Sequence, residues 1–283
     1  MFVTDTIRAV SACLLAGVQE VWVKYRGDRF AQIVFLSTVL VAVVAIFLHG
    51  FAIDAPKGTF ARRWLNLGRD NSLQEFYGYG LCLVSAACFI TAWRRTALFG
   101  YLTAALVLLF MFVDDAFSYH ESVGKAMNRR FDMPSFGQIY GSQFGELVAW
   151  GAAGAVFAVL FLATTRRSPR VQVRIFAVLA MMIGAVGFFA VGVDLIHTYT
   201  RLPELTYLED GGELIALAFS TALAVTIARN PWYADDRPLL DARSVERAGY
   251  VHDPVRRSPR LVDLHAEPER QGAVAQGVSG KHT

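Results

Sequence analysis

Asp114, His120, Glu121, Asp194, His197, Asp210 and Glu213 are the residues of this chain whose types and spacing could do chemistry. They occur in three short stretches, FVDDAFSYHESVG, VDLIHTY and LEDGGELIA, each set against strongly apolar sequence. Carboxylates and imidazoles projected inward from facing helices are the donor set of metal centres in helical bundles. In an unbroken helix Asp114, Ser118 and Glu121 would share one face, at i, i+4 and i+7. Asp194 and His197 are three apart, Asp210 and Glu213 three apart, and Glu209 and Glu213 four apart, so each pair falls on neighbouring helical positions. As metal ligands we expect Asp114, His120, Glu121, Asp194, His197, Asp210 and Glu213, with Glu121 and Glu213 as the catalytic bases. A carboxylate-rich, histidine-poor set suits Zn, Mn or Fe better than Cu(I).

Simpler roles compete at several of these positions. Acidic residues at helix starts, here Glu75, Glu146, Glu209 and Asp210, complement the helix dipole without any function, and so does His197 at a helix end. Asp114, Asp115 and Asp194 sit near C-terminal ends, where the dipole disfavours an anion, so another interaction must stabilise them. Counted from Ala97, Asp114 lies about 26 Å along its helix, at the edge of a hydrocarbon layer, where ionisable groups face a bundle interior. Asp115 points elsewhere in that helix, and His49, alone at a span end, reads as interfacial.

The elements that must position these residues are membrane helices. The chain has 283 residues, 54% hydrophobic and only 18% charged, where a soluble domain carries about 25% charged. The apolar residues fall in blocks of the length that crosses a bilayer, about 20 residues. Six spans are expected: Phe30 to Ile53, Glu75 to Trp93, Ala97 to Glu121, Gly145 to Thr165, Val171 to Tyr199 and Tyr207 to Ala228. Ahead of them, residues 1–28 carry Val3, Ile7, Val10, Leu14, Val18 and Val21 at helical spacing with Asp5, Arg8, Gln19 and Glu20 between. That pattern is an amphipathic helix, either lying in the membrane interface or packed on a partner subunit, and not a cleavable leader. The fold class expected is thus an all-α polytopic bundle: an amphipathic helix over 1–28, a six-span bundle over 29–228 and a largely disordered tail over 229–283, rich in charge, Pro and Gly. Gly184, Gly187 and Gly192 read as helix-packing positions. Cys13, Cys82 and Cys88 have no metal-ligand spacing.

Lys and Arg gather at one set of span ends, around Lys24 to Arg29, Arg94 and Arg95, RRSPRVQVR, and Arg229 onward, which places both termini in the cytoplasm. The acidic and histidine residues at the ends of the six spans gather at the opposite, outward side, and no comparable cluster stands at the inner ends.

The stretches NLGRDNSLQEFYGYG, DDAFSYHE and LEDGGELI resemble a group of uncharacterised bacterial multi-pass membrane proteins with an acidic pair before His-Glu and a late Glu-Glu-x-x-Glu. The resemblance covers roughly Phe30 to Arg229 and implies a bacterial plasma-membrane architecture with the same outward residues; it implies no activity. A fainter similarity links the chain to membrane zinc hydrolases of the alkaline-ceramidase and adiponectin-receptor type, but their His-x-x-x-His is missing here.

The function expected is a metal-dependent membrane enzyme, hydrolase-like or di-metal oxidase-like, acting on a lipid or lipid-linked substrate. The alternatives are a non-catalytic assembly subunit, with a protein partner on the N-terminal helix or the tail, and a haem-binding electron-transfer protein using His120 and His197, with His49. Transport fits poorly, because the inner halves of the spans are almost wholly apolar. No nucleic-acid partner is expected.

Overall fold

The computed structural model describes residues 2–69, 71–166, 168–202 and 204–231. The tail expected from residue 229 lies, beyond Pro231, outside the described residues, as does Asp70.

Among the described residues ten α-helices follow one another: α1 (Phe2–Gly27), α2 (Arg29–Ile53), α3 (Phe60–Trp64), α4 (Leu73–Thr96), α5 (Phe99–Ala116), α6 (Tyr119–Phe131), α7 (Gly141–Thr165), α8 (Arg170–Gly187), α9 (Asp194–Thr200) and α10 (Leu205–Arg229). A π-helical segment, Phe188–Val193, joins α8 to α9 without interrupting the rod. Among the described residues seven helices are long and apolar enough to cross a membrane, and the protein is an all-α multi-pass bundle.

At the centre stands α10. Nearly every residue from Ala216 to Ala228 is buried, against α2, α4 and α8. A helix apolar on all sides belongs in the middle of a bundle. Its polar residues are matched inside: Ser85 of α4 hydrogen-bonds Thr221 of α10 at 2.8 Å, which satisfies two hydroxyls that would otherwise be buried unpaired. Phe89, Tyr101, Leu108, Phe176 and Leu179 complete the core between α4, α5, α8 and α10.

In lipid, close packing and not the hydrophobic effect holds helices together, and small residues permit it. The glycines used are not those expected. Gly184 and Gly187 face open space, and Gly192 meets only the ring of Phe188, in its own segment. The close approaches are elsewhere. A Cβ on Gly100 would lie 2.3 Å from the Phe176 ring, one on Gly17 would lie 2.5 Å from the Arg174 carbonyl, and one on Gly124 would lie 2.5 Å from the Ser142 carbonyl.

The two ends of the bundle differ in charge. One, the basic end, gathers Lys24, Asp28, Arg95, Arg174 and Arg229. Asp28 caps α2 through the Phe30 and Ala31 N–H groups and accepts Arg229 Nε at 2.7 Å and Asn230 Nδ2 at 3.0 Å. Lys24 Nζ donates to the carbonyls of Asn230 and Pro231, so the start and the finish of the bundle are tied together. The opposite, acidic end holds α3, α6, α9 and the loops between them.

The first helix, expected as an amphipathic segment, is also long and apolar enough over Thr4–Gly27 to cross a membrane. Its second half packs against the bundle. Gly17 and Glu20 meet the start of α8, with Glu20 paired to Arg174 at 2.9 Å, while residues 4–12 are exposed throughout.

The acidic end departs from the expected pattern, most of all after the third span. The third span stops at Ala116 instead of Glu121, and a separate helix, α6, replaces the expected loop. The break is made at Ser118, which takes a left-handed conformation (φ 46°). That costs a non-glycine residue roughly 1–2 kcal/mol. The buried Asp114 holds the new helix in place: Oδ1 accepts the backbone N–H of His120 at 2.9 Å, and Oδ2 meets His120 Nδ1 at 2.8 Å.

Candidate active-site cavity

A cavity of about 710 Å³ opens at the acidic end. Its walls come from α4 (Glu75, Tyr79), α5 (Asp115), α9 (Asp194, His197, Thr198) and α10 (Glu209, Asp210, Glu213), with Arg69 and Arg201 contributed by loops and Gln138 and Tyr140 from the segment before α7. Its deepest lining residues, Cys82, Met111 and Leu217, are apolar and close it toward the basic end.

Each wall has a local cause. α4 begins at Ser72, whose hydroxyl accepts the Glu75 N–H, so Glu75 occupies the first turn, where the helix dipole favours an anion. Its carboxylate bonds Tyr79 Oη one turn on and the Asn71 N–H. The π-helical segment widens the helix just ahead of Asp194 and resets the register at which Asp194 and His197 emerge; such insertions recur at functional sites. Phe189 of that segment packs where a Cβ on Gly212 would stand, 2.5 Å away, so the glycine pair Gly211-Gly212 lets α10 approach closely beside Glu213.

The most chemically organised contact of the cavity wall joins His197 Nδ1 to Glu209 Oε2 at 2.6 Å. Both side chains are only partly exposed. A carboxylate on Nδ1 fixes the imidazole ring and directs Nε2 as the proton-accepting atom. Asp210 and Glu213, on the same helix, have no hydrogen-bond or ion-pair partner among the described residues.

The sequence-derived set therefore divides. Asp194, His197, Asp210 and Glu213 line the cavity together, joined by Glu75, Asp115 and Glu209. Asp114 and His120 do not. Asp114 is buried as the anchor of α6, and His120 lines a separate water-sized pocket with Glu146 and Trp150; Asp194, Gln143 and Thr198 border both spaces. His120 lies in α6, outside the spanning segments. The hydrogen bond from Asp114 raises its pKa above the ordinary value; burial opposes the rise, and the charges of Asp114, Glu146 and Glu121 add to it. Glu121, expected as ligand and base, borders neither space and pairs instead with Lys125 at 2.7 Å, on an exposed face. Because the helix breaks at Ser118, Asp114 and Glu121 no longer share a face, and the cavity receives Asp115 in place of its neighbour. His49 lines neither space; it is buried behind the cavity wall, its Nδ1 accepting the N–H of the lining residue Leu67 at 3.0 Å and its ring against Tyr207.

The expected seven-ligand metal set is likewise not assembled. No group of three or more His, Cys, Asp or Glu side chains placed to hold a metal ion occurs among the described residues. Glu75 and Glu209 carried signals in the sequence as helix-start acids that nothing separated from simple dipole partners, while Asp115 was a span-end acid that an unbroken helix would turn away from the site. The Arg69 and Arg201 contributions come from loops and had no periodic signal.

Residues 33–227 match a family described as a domain of unknown function, DUF8692, and the chain belongs to that family. The match covers α2 to α10 and so takes in every wall of the cavity. No curated protein and no solved structure matches the chain.

Proposed function

We propose that the protein is a membrane enzyme whose cavity hydrolyses a lipid-linked substrate with the help of a divalent cation. The His197–Glu209 pair on the cavity wall carries this reading. In it, His197 accepts a proton from a water whose oxygen attacks the substrate's electrophilic centre. Glu209 stabilises the imidazolium, and the proton is returned to the departing group.

Asp210 and Glu213, without partners among the described residues, would attract the cation, helped by Asp194 and Asp115. Because these carboxylates line a broad cavity and form no compact ligand cage, the ion that suits them is one that keeps much of its water shell. Mg²⁺ or Mn²⁺, held by one or two carboxylates and completed by a substrate phosphate, has that habit, whereas a closed tetrahedral Zn²⁺ site does not. Arg69 and Arg201 supply positive charge for the anionic part of the same substrate. The reading includes a bacterial plasma-membrane location with the acidic end outward, supported by the gathering of Lys and Arg at the other end.

The test is product release from phosphate-bearing lipids in detergent or bilayer discs with Mn²⁺ supplied. Activity is expected to fall at least about a hundredfold in His197→Gln, the scale of a lost general base. Wild-type and His197→Gln rates that coincide across the lipid panel would overturn the proposal.

A second reading, a non-catalytic assembly subunit, is favoured by one observation: residues 4–12 of α1 are exposed on every side, with Ile7 and Val10 more than half exposed. It predicts co-purification with a fixed partner through α1. The haem reading has less support, since His120 and His197 each direct Nδ1 to a carboxylate in different spaces and His49 is buried apart from both.

A further inference from the structure

Away from the acidic end, a second concave surface of about 610 Å³ lies at the basic end between α4 and α10. Val84, Ala87, Cys88 and Thr91 form one wall of it, running along α4, and Arg95 and Arg229 close it. Among the described residues no carboxylate lines it.

The arrangement is that of an amphiphile site. Val84, Ala87, Cys88 and Thr91 follow the i, i+3, i+4, i+7 spacing that makes one continuous stripe on a helix. Thr91 presents little polarity, because its hydroxyl donates back to the Ala87 carbonyl at 2.8 Å. The stripe ends at two guanidiniums, each fixed by the protein itself. Arg95 Nη1 donates to the Ala228 carbonyl at 2.7 Å, and Arg229 Nε donates to Asp28 Oδ2 at 2.7 Å while its guanidinium carbon sits 4.9 Å from the centre of the Phe30 ring. A guanidinium has five N–H donors, so one such bond orients the group and leaves further donors for a ligand.

Charge favours an anion here despite the two helix C-termini, whose carbonyls carry partial negative charge. Arg95 neutralises one of those carbonyls directly. Of the acids at this end, Asp28 is occupied by four hydrogen bonds and Glu20 is paired with Arg174. Arg94 and Arg29 add to the positive field. Basic pockets between membrane helices, with an apolar wall below them, are where acidic lipid headgroups bind.

We propose that the α4–α10 groove binds an anionic phospholipid of the bilayer, its phosphate on Arg95 and Arg229 and an acyl chain along Val84, Ala87, Cys88 and Thr91. The site is independent of the cavity at the acidic end and of any chemistry there. It fastens α10 to α4 where both helices end, so lipid binding stabilises the bundle.

The full-length protein, purified in detergent, is challenged with phosphatidylglycerol, with phosphatidylcholine of the same acyl chains, and with inorganic phosphate. Retained lipid is read by native mass spectrometry and stability by the unfolding midpoint. Phosphatidylglycerol is expected to be retained in preference to phosphatidylcholine and to raise the midpoint, with inorganic phosphate inert. Arg95→Gln is expected to weaken retention about fivefold, the worth of one arginine beside an anionic lipid. Ala87→Trp, at an exposed position that leaves both arginines in place, should weaken it by filling the groove. Equal retention of the two lipids, or unchanged retention in both variants, overturns the proposal. Stabilisation by inorganic phosphate equal to that by phosphatidylglycerol also overturns it, by reducing the site to an anion site without a chain groove.

Discussion

Asp114 and His120 are bound to each other twice, Oδ1 to the backbone N–H at 2.9 Å and Oδ2 to Nδ1 at 2.8 Å, across the break that turns the third span into α6. The carboxylate is 1% exposed, so both bonds are sheltered from water on its side. Asp114→Ala leaves an N-terminal N–H of α6 without its acceptor and is expected to cost about 1–3 kcal/mol. Thermal or denaturant unfolding in detergent measures it. A change below about 0.5 kcal/mol would place Asp114 among ordinary surface positions.

The same pair makes stability depend on pH. The His120 pKa is raised in the folded protein, so the protonated form is the one the fold prefers. Its contribution is complete below the ordinary value of 6.5 and is lost as pH climbs through the raised one. Unfolding midpoints recorded between about pH 6 and pH 9 should fall with rising pH in the wild type and lose that component in His120→Gln.

Asp28 runs the opposite way at the basic end. Burial alone would raise its pKa, but the bonds from Arg229, Ala31 and Asn230 together with the Arg229 charge outweigh burial and lower it. The stabilisation is therefore present above the ordinary carboxylate value of 3.8 and disappears as pH falls through the depressed one. Arg229 is half exposed, so solvent screens part of the effect. Asp28→Ala removes the α2 cap as well as the tie to α10, and a loss of about 1–3 kcal/mol is expected by denaturant unfolding.

Gly124 and Gly145 set the approach of α6 to α7: a Cβ on Gly145 would lie 2.8 Å from the Gly124 carbonyl, backbone against side chain. Gly145→Val is expected to destabilise by about 1–3 kcal/mol through overpacking, while Gly184→Ala, in open space, should change little. Equal effects at the two positions would contradict the packing described.

How far the sequence could be read follows from which interactions are periodic. Long apolar blocks mark the six crossing helices from α2 onward, and the ends of α2, α7 and α10 fall within a few residues of the expected bounds, because lipid demands length and composition and little else. The acidic end was legible as a gathering of carboxylates and histidines. Which of them meet was not, because that depends on Ser118 leaving the helix and on the π-helical segment before Asp194, neither of which has a composition signature. One break exchanged Asp115 for Asp114 on the cavity wall and took Glu121 away from it altogether. Gly17, Gly100 and Gly124 matter for packing and Gly184 does not, a distinction set by what lies opposite each one.

That exchange is testable on its own. Asp115→Asn should weaken cation binding on the order of tenfold, the scale of one lost charged contact, whereas Glu121→Gln should leave it within about 0.5 kcal/mol. A titration of each variant with Mn²⁺ separates them.

The most direct trial of the cavity as a reaction site is Mn²⁺ binding to the purified full-length protein, followed by the paramagnetic signal of the free ion. The account predicts one ion bound per chain, with affinity lowered at least about tenfold in both Asp210→Asn and Glu213→Gln. No saturable binding in the wild type, or binding unaltered in both variants, would contradict it.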